Sequence, residues 1–274
     1  MLDRNRITAA IWTWGTSTRE QMVQAAADIT EIGYRSFESI KAAIHAYDLD
    51  LDAYKEVLEK YGIKPVSFYF HLPPCGEEES VFASLDKELE FIAALGVDRI
   101  CLQATGGHPG KLDDSQMEFE LKLVEKFARR TKSFGITSNL HNHHNTWVMF
   151  ENEIDNILEN LGPDVISFAP DTAHLVAGLC DPVKVIEKYS DRVNFIHLKD
   201  IATTYAKSEG IAPAGMEVYS NFCELGKGIV DFRKVFDILK AAGYDGPLCE
   251  ELDMAPIGNK ESALNNYNYI LENY

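Results

Sequence analysis

The sequence predicts a (β/α)₈ barrel over residues 1–274, and three observations support this prediction. Eight short apolar segments alternate with longer amphipathic segments, the order that builds a parallel sheet with helical crossovers. Eight such units in 274 residues fit a closed barrel of about 250 residues better than an open sheet. Because no linker rich in Pro, Gly or Ser divides the chain, we predict a single domain.

The predicted strands are short segments that are bounded by turn residues and rich in β-branched and aromatic side chains. They cover residues 7–12, 34–38, 65–71, 99–103, 137–141, 165–171, 193–197 and 247–251. Residues 201–228, after the seventh strand, form the longest segment without periodicity. Loops of this length in compact domains are usually functional, so we expect a lid over substrate or a subunit contact there.

Helix start and stop signals flank the amphipathic segments. Ser17 and Glu20 have the spacing of a capping box, and Asp181 followed by Pro182 predicts an N-cap with proline at the first helical position. Glycines follow five helical segments where a left-handed residue ends a helix, namely Gly33, Gly62, Gly96, Gly135 and Gly243.

Side chains of each predicted strand alternate between the barrel interior and the helix layer. In the third strand, Val66, Phe68 and Phe70 form the apolar outward face. The inward face of most strands holds small residues and ends in a polar group, such as His71 in the third strand. Chemistry in barrels of this kind is carried at the carboxyl ends of the strands.

Composition and charge narrow the class of partner. The formal charge is −17, from 26 Lys and Arg against 43 Asp and Glu, which argues against nucleic acid and anionic membranes. No stretch approaches the roughly 18 apolar residues of a membrane span. The five cysteines are far apart, as in proteins of reducing compartments. We therefore expect a cytoplasmic protein with a small-molecule partner.

Four polar side chains at consecutive strand ends are candidate metal ligands. By parity, His141, Asp171, His197 and Glu251 face inward from the fifth to the eighth strand. Imidazole and carboxylate groups suit divalent Mn²⁺, Co²⁺, Zn²⁺ or Mg²⁺. Their convergence predicts one metal ion with open positions for substrate. The alternative is a set of solvated polar residues at loop edges.

Several segments in a fixed order resemble one known family. They are LHNHH (140–144), APDTAHLVAG (169–178), DPVKVIEKYSDRVNFIHLKD (181–200), GKGIVDF (226–232) and GYDGPLCEELD (243–253). Together they resemble the xylose-isomerase-like superfamily of sugar isomerases and epimerases, nearest the branch of inosose dehydratase and related keto-sugar enzymes. The resemblance is strong over residues 135–253 and loose before them.

The resemblance implies a (β/α)₈ barrel with one divalent ion, most often Mn²⁺ or Co²⁺. It also implies ligands at Asp171, His197 and Glu251, while many members place a glutamate where this chain has His141. Glu250 is a possible substitute for Glu251, but strand parity favours Glu251. Members are commonly dimers or tetramers, so we expect a homo-oligomer.

Other residues near the strand ends are candidates for proton transfer and substrate binding. His143 is a candidate base or an orienting group, Lys199 a candidate acid or a surface ion pair, and Glu38 a candidate proton carrier or a structural carboxylate. The candidate substrate-binding residues, which fill a structural role otherwise, are His174, His71, Gln103 and Trp14. Trp12 is a further candidate for stacking on a sugar face.

We predict an enzyme that removes the proton next to the carbonyl of a keto-sugar or keto-cyclitol. The resulting enediolate leads to isomerisation, epimerisation, or dehydration by β-elimination. One alternative is a non-catalytic sugar-binding subunit of a hetero-oligomer. Another is a metallo-hydrolase of the endonuclease IV type, which the acidic charge disfavours.

Overall fold

Eight parallel strands form one sheet in the computed structural model, which describes residues 2–74, 76–203 and 218–274. In chain order the strands are β1 (Ile7–Ala10), β2 (Ser36–Ile40), β3 (Lys64–His71), β4 (Arg99–Gln103), β5 (Thr137–His141), β6 (Ser167–Phe168), β7 (His197–Leu198), β8 (Asp200–Ile201), β9 (Phe222–Cys223) and β10 (Leu248–Glu250). The sheet has the order β6-β5-β4-β3-β2-β1-β10-β7. Strands that alternate with helices in this order confirm the predicted (β/α)₈ barrel.

The ring closes at a seam between β6 and β7, where isolated bridges take the place of a continuous ladder. Phe168 pairs with Val193 and Asp171 pairs with His197, both in parallel orientation. The amide of His197 donates to the carbonyl of Pro170 at 2.9 Å. Strands β6 and β7 therefore contain two residues each, fewer than the sequence predicts.

Ten α-helices surround the strands among the described residues. They are α1 (Arg19–Ile32), α2 (Lys41–His45), α3 (Leu51–Tyr61), α4 (Glu78–Ala94), α5 (Asp114–Lys132), α6 (Glu151–Asn160), α7 (Thr172–Ala177), α8 (Pro182–Lys188), α9 (Phe232–Ala241) and α10 (Asn259–Asn273). No helix in this part of the chain is long and apolar enough to cross a membrane.

The helix-end signals agree with the structure except at α1. Its capping box is formed by Thr18 and Gln21, one residue later than the predicted pair Ser17 and Glu20. The predicted cap at α8 is confirmed, because the Asp181 carboxylate accepts from the amides of residues 183 and 184. All five predicted C-terminal glycines have positive φ.

The apolar core has two parts, one between the strands and the helices and one inside the barrel. The outer layer joins strands to helices and includes Phe68 and Phe70. The interior cluster is smaller and consists of Ala10, Tyr69, Cys101, Ala169, Phe195 and Cys249. Val66, which parity placed outside, packs against the interior cluster. A register shift next to Glu38 is the reason, because Phe37 pairs with Pro65 whereas Glu38 pairs with Ser67.

After β7, the short strands β8 and β9 pair in antiparallel orientation. Asp200 pairs with Cys223 and Ile201 pairs with Phe222. The predicted loop at 201–228 therefore has a base anchored on the barrel. Residues 204–217 of that loop lie outside the described residues, so its expected role as a lid or subunit contact stays a prediction.

Candidate active site

A cavity opens at the carboxyl ends of the strands, as expected for this fold. Its volume is about 220 Å³. The lining residues are Trp12, Ile40, Tyr69, His71, Gln103, His143, Glu251 and Asp253. The structure thus brings four of the predicted site residues to one cavity wall, namely His71, Gln103, His143 and Glu251.

The four predicted metal ligands lie together at the base of this cavity. His141, Asp171 and His197 are fully buried, and Glu251 is 2% exposed. The Nδ1 atoms of His197 and His141 are 3.1 Å apart, and His197 Nδ1 lies 3.3 Å from Glu251 Oε2. One nitrogen or oxygen of each of His141, Asp171 and His197 lies within 4.8 Å of the others.

The donor atoms of this group fit a divalent cation. Within the described part of the chain, His141 Nε2, Asp171 Oδ2 and Glu251 Oε2 are buried without a hydrogen bond. Buried polar atoms without hydrogen bonds are costly unless a bound group satisfies them. Two imidazoles and two carboxylates are also the ligand types that such ions take.

Glu250, the alternative ligand, faces the helix layer. Its Oε2 accepts a hydrogen bond from the Asn266 amide at 2.7 Å, and burial raises the pKa of Glu250 to about 8. The structure therefore places Glu251, and not Glu250, beside the other candidate ligands.

Glu38 lies beneath the candidate ligands and is fully buried. Its Oε2 accepts a short hydrogen bond from His197 Nε2, and its Oε1 accepts from the Ser67 hydroxyl at 2.6 Å. Burial alone would lower the pKa of His197, but the charges of Glu38 and Glu251 outweigh it and raise that pKa to about 9. In this arrangement His197 carries a positive charge at neutral pH.

Lys199 is fully buried and surrounded by carboxylates. Its Nζ lies 2.5 Å from Asp253 Oδ2, 2.6 Å from Glu251 Oε1 and 3.7 Å from Asp171 Oδ2. Burial acts to lower the pKa of Lys199, but these charges raise it above its ordinary value. Lys199 is therefore an ammonium ion inside the site and not a surface ion pair.

The rings of His143 and His174 contact each other next to Lys199, with ring centres 3.8 Å apart and planes tilted by 37°. His143 Nδ1 lies 2.6 Å from the carbonyl of His144, which puts the ring proton on Nδ1 and leaves Nε2 as an acceptor. Burial and the charge of Lys199 lower the pKa of His143 to about 3. His174 is fully buried, and its Nε2 lies 3.1 Å from Lys199 Nζ.

Two aromatic rings form the wall above His197. Trp12 lies edge-on to Tyr69 and to His197, with ring centres 5.6 and 5.9 Å apart. The Tyr69 hydroxyl donates to Gln103 Oε1 at 2.8 Å.

Trp14, by contrast, packs against the outer core, and its indole nitrogen donates to Asp28 at 2.9 Å. Trp14 does not line the cavity, because the short 3₁₀ turn at Trp12–Trp14 carries the chain away from the mouth.

Asp253 and Tyr69 are site residues that the sequence patterns do not single out. Both lie on the inward face of their strand or its continuation: Asp253 follows Glu251 by two residues, and Tyr69 precedes His71 by two. The alternation of side chains that predicts an inward-facing Glu251 also predicts an inward-facing Asp253 when it is continued past the end of the strand.

Comparison with known proteins agrees with this fold. The family described as "Xylose isomerase-like TIM barrel" matches residues 25–268. An inosose dehydratase from Lacticaseibacillus casei is 28% identical over 254 residues, which cover 85% of this chain and 82% of that protein.

Two solved structures share the fold across nearly the whole chain. A xylose isomerase-like TIM barrel protein from Mycobacterium smegmatis, in complex with magnesium, has a TM-score of 0.78 at 16% identity, with 99% and 98% of the two chains covered. The IOLI protein with a bound zinc atom has a TM-score of 0.76 at 15% identity, with 97% and 96% covered. By the extent of the family match, this chain belongs to the xylose isomerase-like TIM barrel family.

Proposed function

We propose that this protein is a metal-dependent lyase that dehydrates a keto-cyclitol after removing the proton next to its carbonyl. One observation carries the proposal, namely the buried convergence of His141, Asp171, His197 and Glu251 beside the Lys199 ammonium at a cavity of about 220 Å³. Relatives named inosose dehydratase support the substrate class. Epimerisation or isomerisation of a keto-sugar is the alternative outcome of the same proton removal.

The proposed cofactor is one divalent ion held by His141, Asp171, His197 and Glu251. Mn²⁺ or Co²⁺ is the expected ion, and the magnesium and zinc bound by two proteins of the same fold support Mg²⁺ and Zn²⁺ as further candidates. When bound, such an ion acts as a Lewis acid on a ketone oxygen and stabilises the negative charge that develops there.

His143 is the proposed base. It lines the cavity, its low pKa keeps the ring neutral at pH 7, and its Nδ1 contact with the His144 carbonyl leaves Nε2 to accept a proton. Lys199 is the proposed acid and electrostatic partner, because its ammonium lies against Glu251 and Asp253 at the cavity wall. A fixed positive charge in a buried site favours an oxyanion on the substrate.

The cavity wall supports a polar ring-shaped substrate. His71 and Gln103 offer hydrogen bonds to hydroxyls, and Trp12 and Tyr69 offer apolar edges to the face of a ring. Burial and nearby Lys41 lower the pKa of His71 to about 4, so His71 binds as a neutral group. His174 supports Lys199 and His143 from behind. The expected homo-oligomer, a dimer or tetramer, stays a prediction.

Proton–deuterium exchange by NMR tests this proposal. The protein is loaded with Mn²⁺ or Co²⁺ and incubated in D₂O with keto-inositols, 3-keto-glucosides and ketohexoses. We expect exchange next to the carbonyl and an unsaturated product from a keto-inositol. Exchange without that product would identify an epimerase or isomerase instead.

Asp171→Asn is the matched variant for the same experiment. Asp171 Oδ1 caps α7 by accepting from the His174 amide at 2.8 Å, and an asparagine keeps that cap while losing the charge. We expect a folded protein without bound metal or exchange. A wild-type protein that holds no stoichiometric metal and exchanges no substrate would favour a non-catalytic binding subunit.

A further inference from the structure

Glu38 is a buried carboxylate that the proposed chemistry leaves without a role. It is fully buried and is absent from the residues that line the cavity. Both of its oxygens are engaged, one by the Ser67 hydroxyl and the other by His197 Nε2. A carboxylate in this position does not reach a substrate, so the expected role of Glu38 as a proton carrier lacks geometric support.

The contact with Glu38 decides which nitrogen of His197 is available. A carboxylate only accepts hydrogen bonds, so the Nε2 proton stays on the side of Glu38. Nδ1 then faces the other candidate ligands, at 3.1 Å from His141 Nδ1 and 3.3 Å from Glu251 Oε2. A cation bound there takes the place of the Nδ1 proton, whereas the hydrogen bond at Nε2 remains.

We propose that Glu38 is a positioning residue that fixes the ring orientation and tautomer of His197, so that Nδ1 is the nitrogen that binds the cation. This inference rests on the proposed function, because it assumes a metal held by His197. Carboxylates commonly orient metal-binding histidines in this way, and loss of such a partner typically weakens metal binding about 10- to 100-fold.

The register shift in β3 explains how Glu38 is itself held. Glu38 pairs with Ser67, whereas the preceding residue Phe37 pairs with Pro65. The extra residue, Val66, brings Ser67 opposite Glu38, and the Ser67 hydroxyl donates to Glu38 Oε1 at 2.6 Å. This second hydrogen bond leaves the Glu38 side chain little freedom, so Oε2 stays under the imidazole.

Two variants of Glu38 and one control test the inference. Glu38→Ala removes the acceptor, and Glu38→Gln keeps a neutral amide oxygen of the same shape. Glu120→Gln is the matched control, because Glu120 is also a buried glutamate at 1% exposure, but its Oε1 accepts from the Thr105 amide away from His197. Cobalt affinity, the cobalt absorption spectrum and ¹⁵N NMR of labelled histidine are measured on each protein.

We expect Co²⁺ to bind about 10- to 100-fold more weakly to Glu38→Ala, with an intermediate loss in Glu38→Gln and no change in Glu120→Gln. The loaded wild type should show His197 protonated at Nε2 and ligated through Nδ1, and the Glu38 variants should lose that uniform state. If Glu38→Ala fails to fold, Glu38→Gln carries the test.

Two results would overturn the inference in distinguishable ways. If the wild type binds Co²⁺ and both Glu38 variants keep its affinity and tautomer, Glu38 does not position His197, and the proposed function stands. If the wild type itself binds no divalent cation, the proposed metal dependence fails and the role of Glu38 fails with it.

Discussion

Two tryptophans that are two residues apart have different surroundings, and the difference predicts different defects. Trp12 lines the cavity, whereas Trp14 donates to Asp28 and packs against the outer core. We expect Trp12→Ala to lower kcat/KM roughly tenfold, mainly through KM, because aromatic contacts of this kind contribute about 0.5–1.5 kcal/mol. Trp14→Ala should lower the melting temperature and leave KM unchanged. Steady-state kinetics and thermal melts on both variants check this, and a KM defect confined to Trp14→Ala would contradict the placement.

Glu120 predicts a pH dependence of stability. Burial raises its pKa from 4.5 to about 7, against the hydrogen bond from the Thr105 amide, and the charge of Glu153 adds to the rise. Because the folded-state value lies above the unfolded one, folding takes up a proton between them. The contribution of this carboxyl is therefore fully present below the unfolded pKa and is lost as pH rises to about 7.

The variant Glu120→Gln isolates that contribution, since an amide does not titrate and keeps the acceptor for Thr105. Relative to this variant, the free energy of unfolding of the wild type should fall by about 3 kcal/mol between pH 4.5 and pH 7.5. Urea unfolding of both proteins across this range measures it. Parallel pH profiles would show that Glu120 keeps an ordinary pKa in the fold.

Single residues also show where sequence reasoning stops. Parity places His141, Asp171, His197 and Glu251 on one face, and the structure brings them together. Parity does not reveal that Glu38 contacts His197, because these residues are 159 positions apart in the sequence and meet only when the ring of strands closes. Both Trp12 and Trp14 are candidates from the sequence, but of the two Trp12 lines the cavity and Trp14 does not, because a 3₁₀ turn interrupts the alternation there.

At the scale of elements, the turn after β9 is built around one carboxylate. Asp200 accepts four backbone hydrogen bonds, from the amides of Ile201, Gly226, Gly228 and Val230. Four donors on one charged group stabilise a turn strongly. Along residues 197–200, His197 and Lys199 face the site. Asp200 instead holds the base of the loop at 201–228 through these four hydrogen bonds.

Gly228 is required for this turn because its backbone touches Asp200. A Cβ at residue 228 would lie 2.3 Å from Asp200 Oδ1 and 2.4 Å from the Ile201 carbonyl. We expect Gly228→Ala to lower the free energy of unfolding by roughly 2–3 kcal/mol, since the backbone must move and weaken these hydrogen bonds. Gly106→Ala is the control, because nothing lies within 4 Å of its added Cβ. Equal stability of the two variants, measured by urea unfolding, would contradict this account.

Strand boundaries were predictable where two strands pair along their whole length. The predicted strands 99–103 and 137–141 agree with β4 and β5, which pair with each other from end to end. At β6 and β7 the predicted strands are too long, because the seam has only isolated bridges. The register shift at Val66 was not predicted either, because the apolar Val66 continues the alternating pattern of the sequence although it packs against the barrel interior.

At the scale of the whole molecule, the candidate ligands lie across the weakest junction of the ring. Asp171 follows β6 and His197 begins β7, and their bridge is one of two that close the seam. A cation held by both residues would link the two edges of the sheet. We therefore expect the proposed metal to have a structural effect beyond catalysis, because the closed barrel would bind it and the unfolded chain would not.

This linkage predicts a large thermal shift. At a free ion concentration a thousandfold above Kd, binding to the folded state alone adds about 4 kcal/mol to the free energy of unfolding. With an unfolding entropy typical for a chain of 274 residues, the melting temperature should rise by roughly 7 °C. Asp171→Asn should abolish the rise, and Glu120→Gln should retain it. Calorimetric melts with Mn²⁺ or Co²⁺ against chelator measure both, and an equal rise in Asp171→Asn would place the cation elsewhere than at the seam.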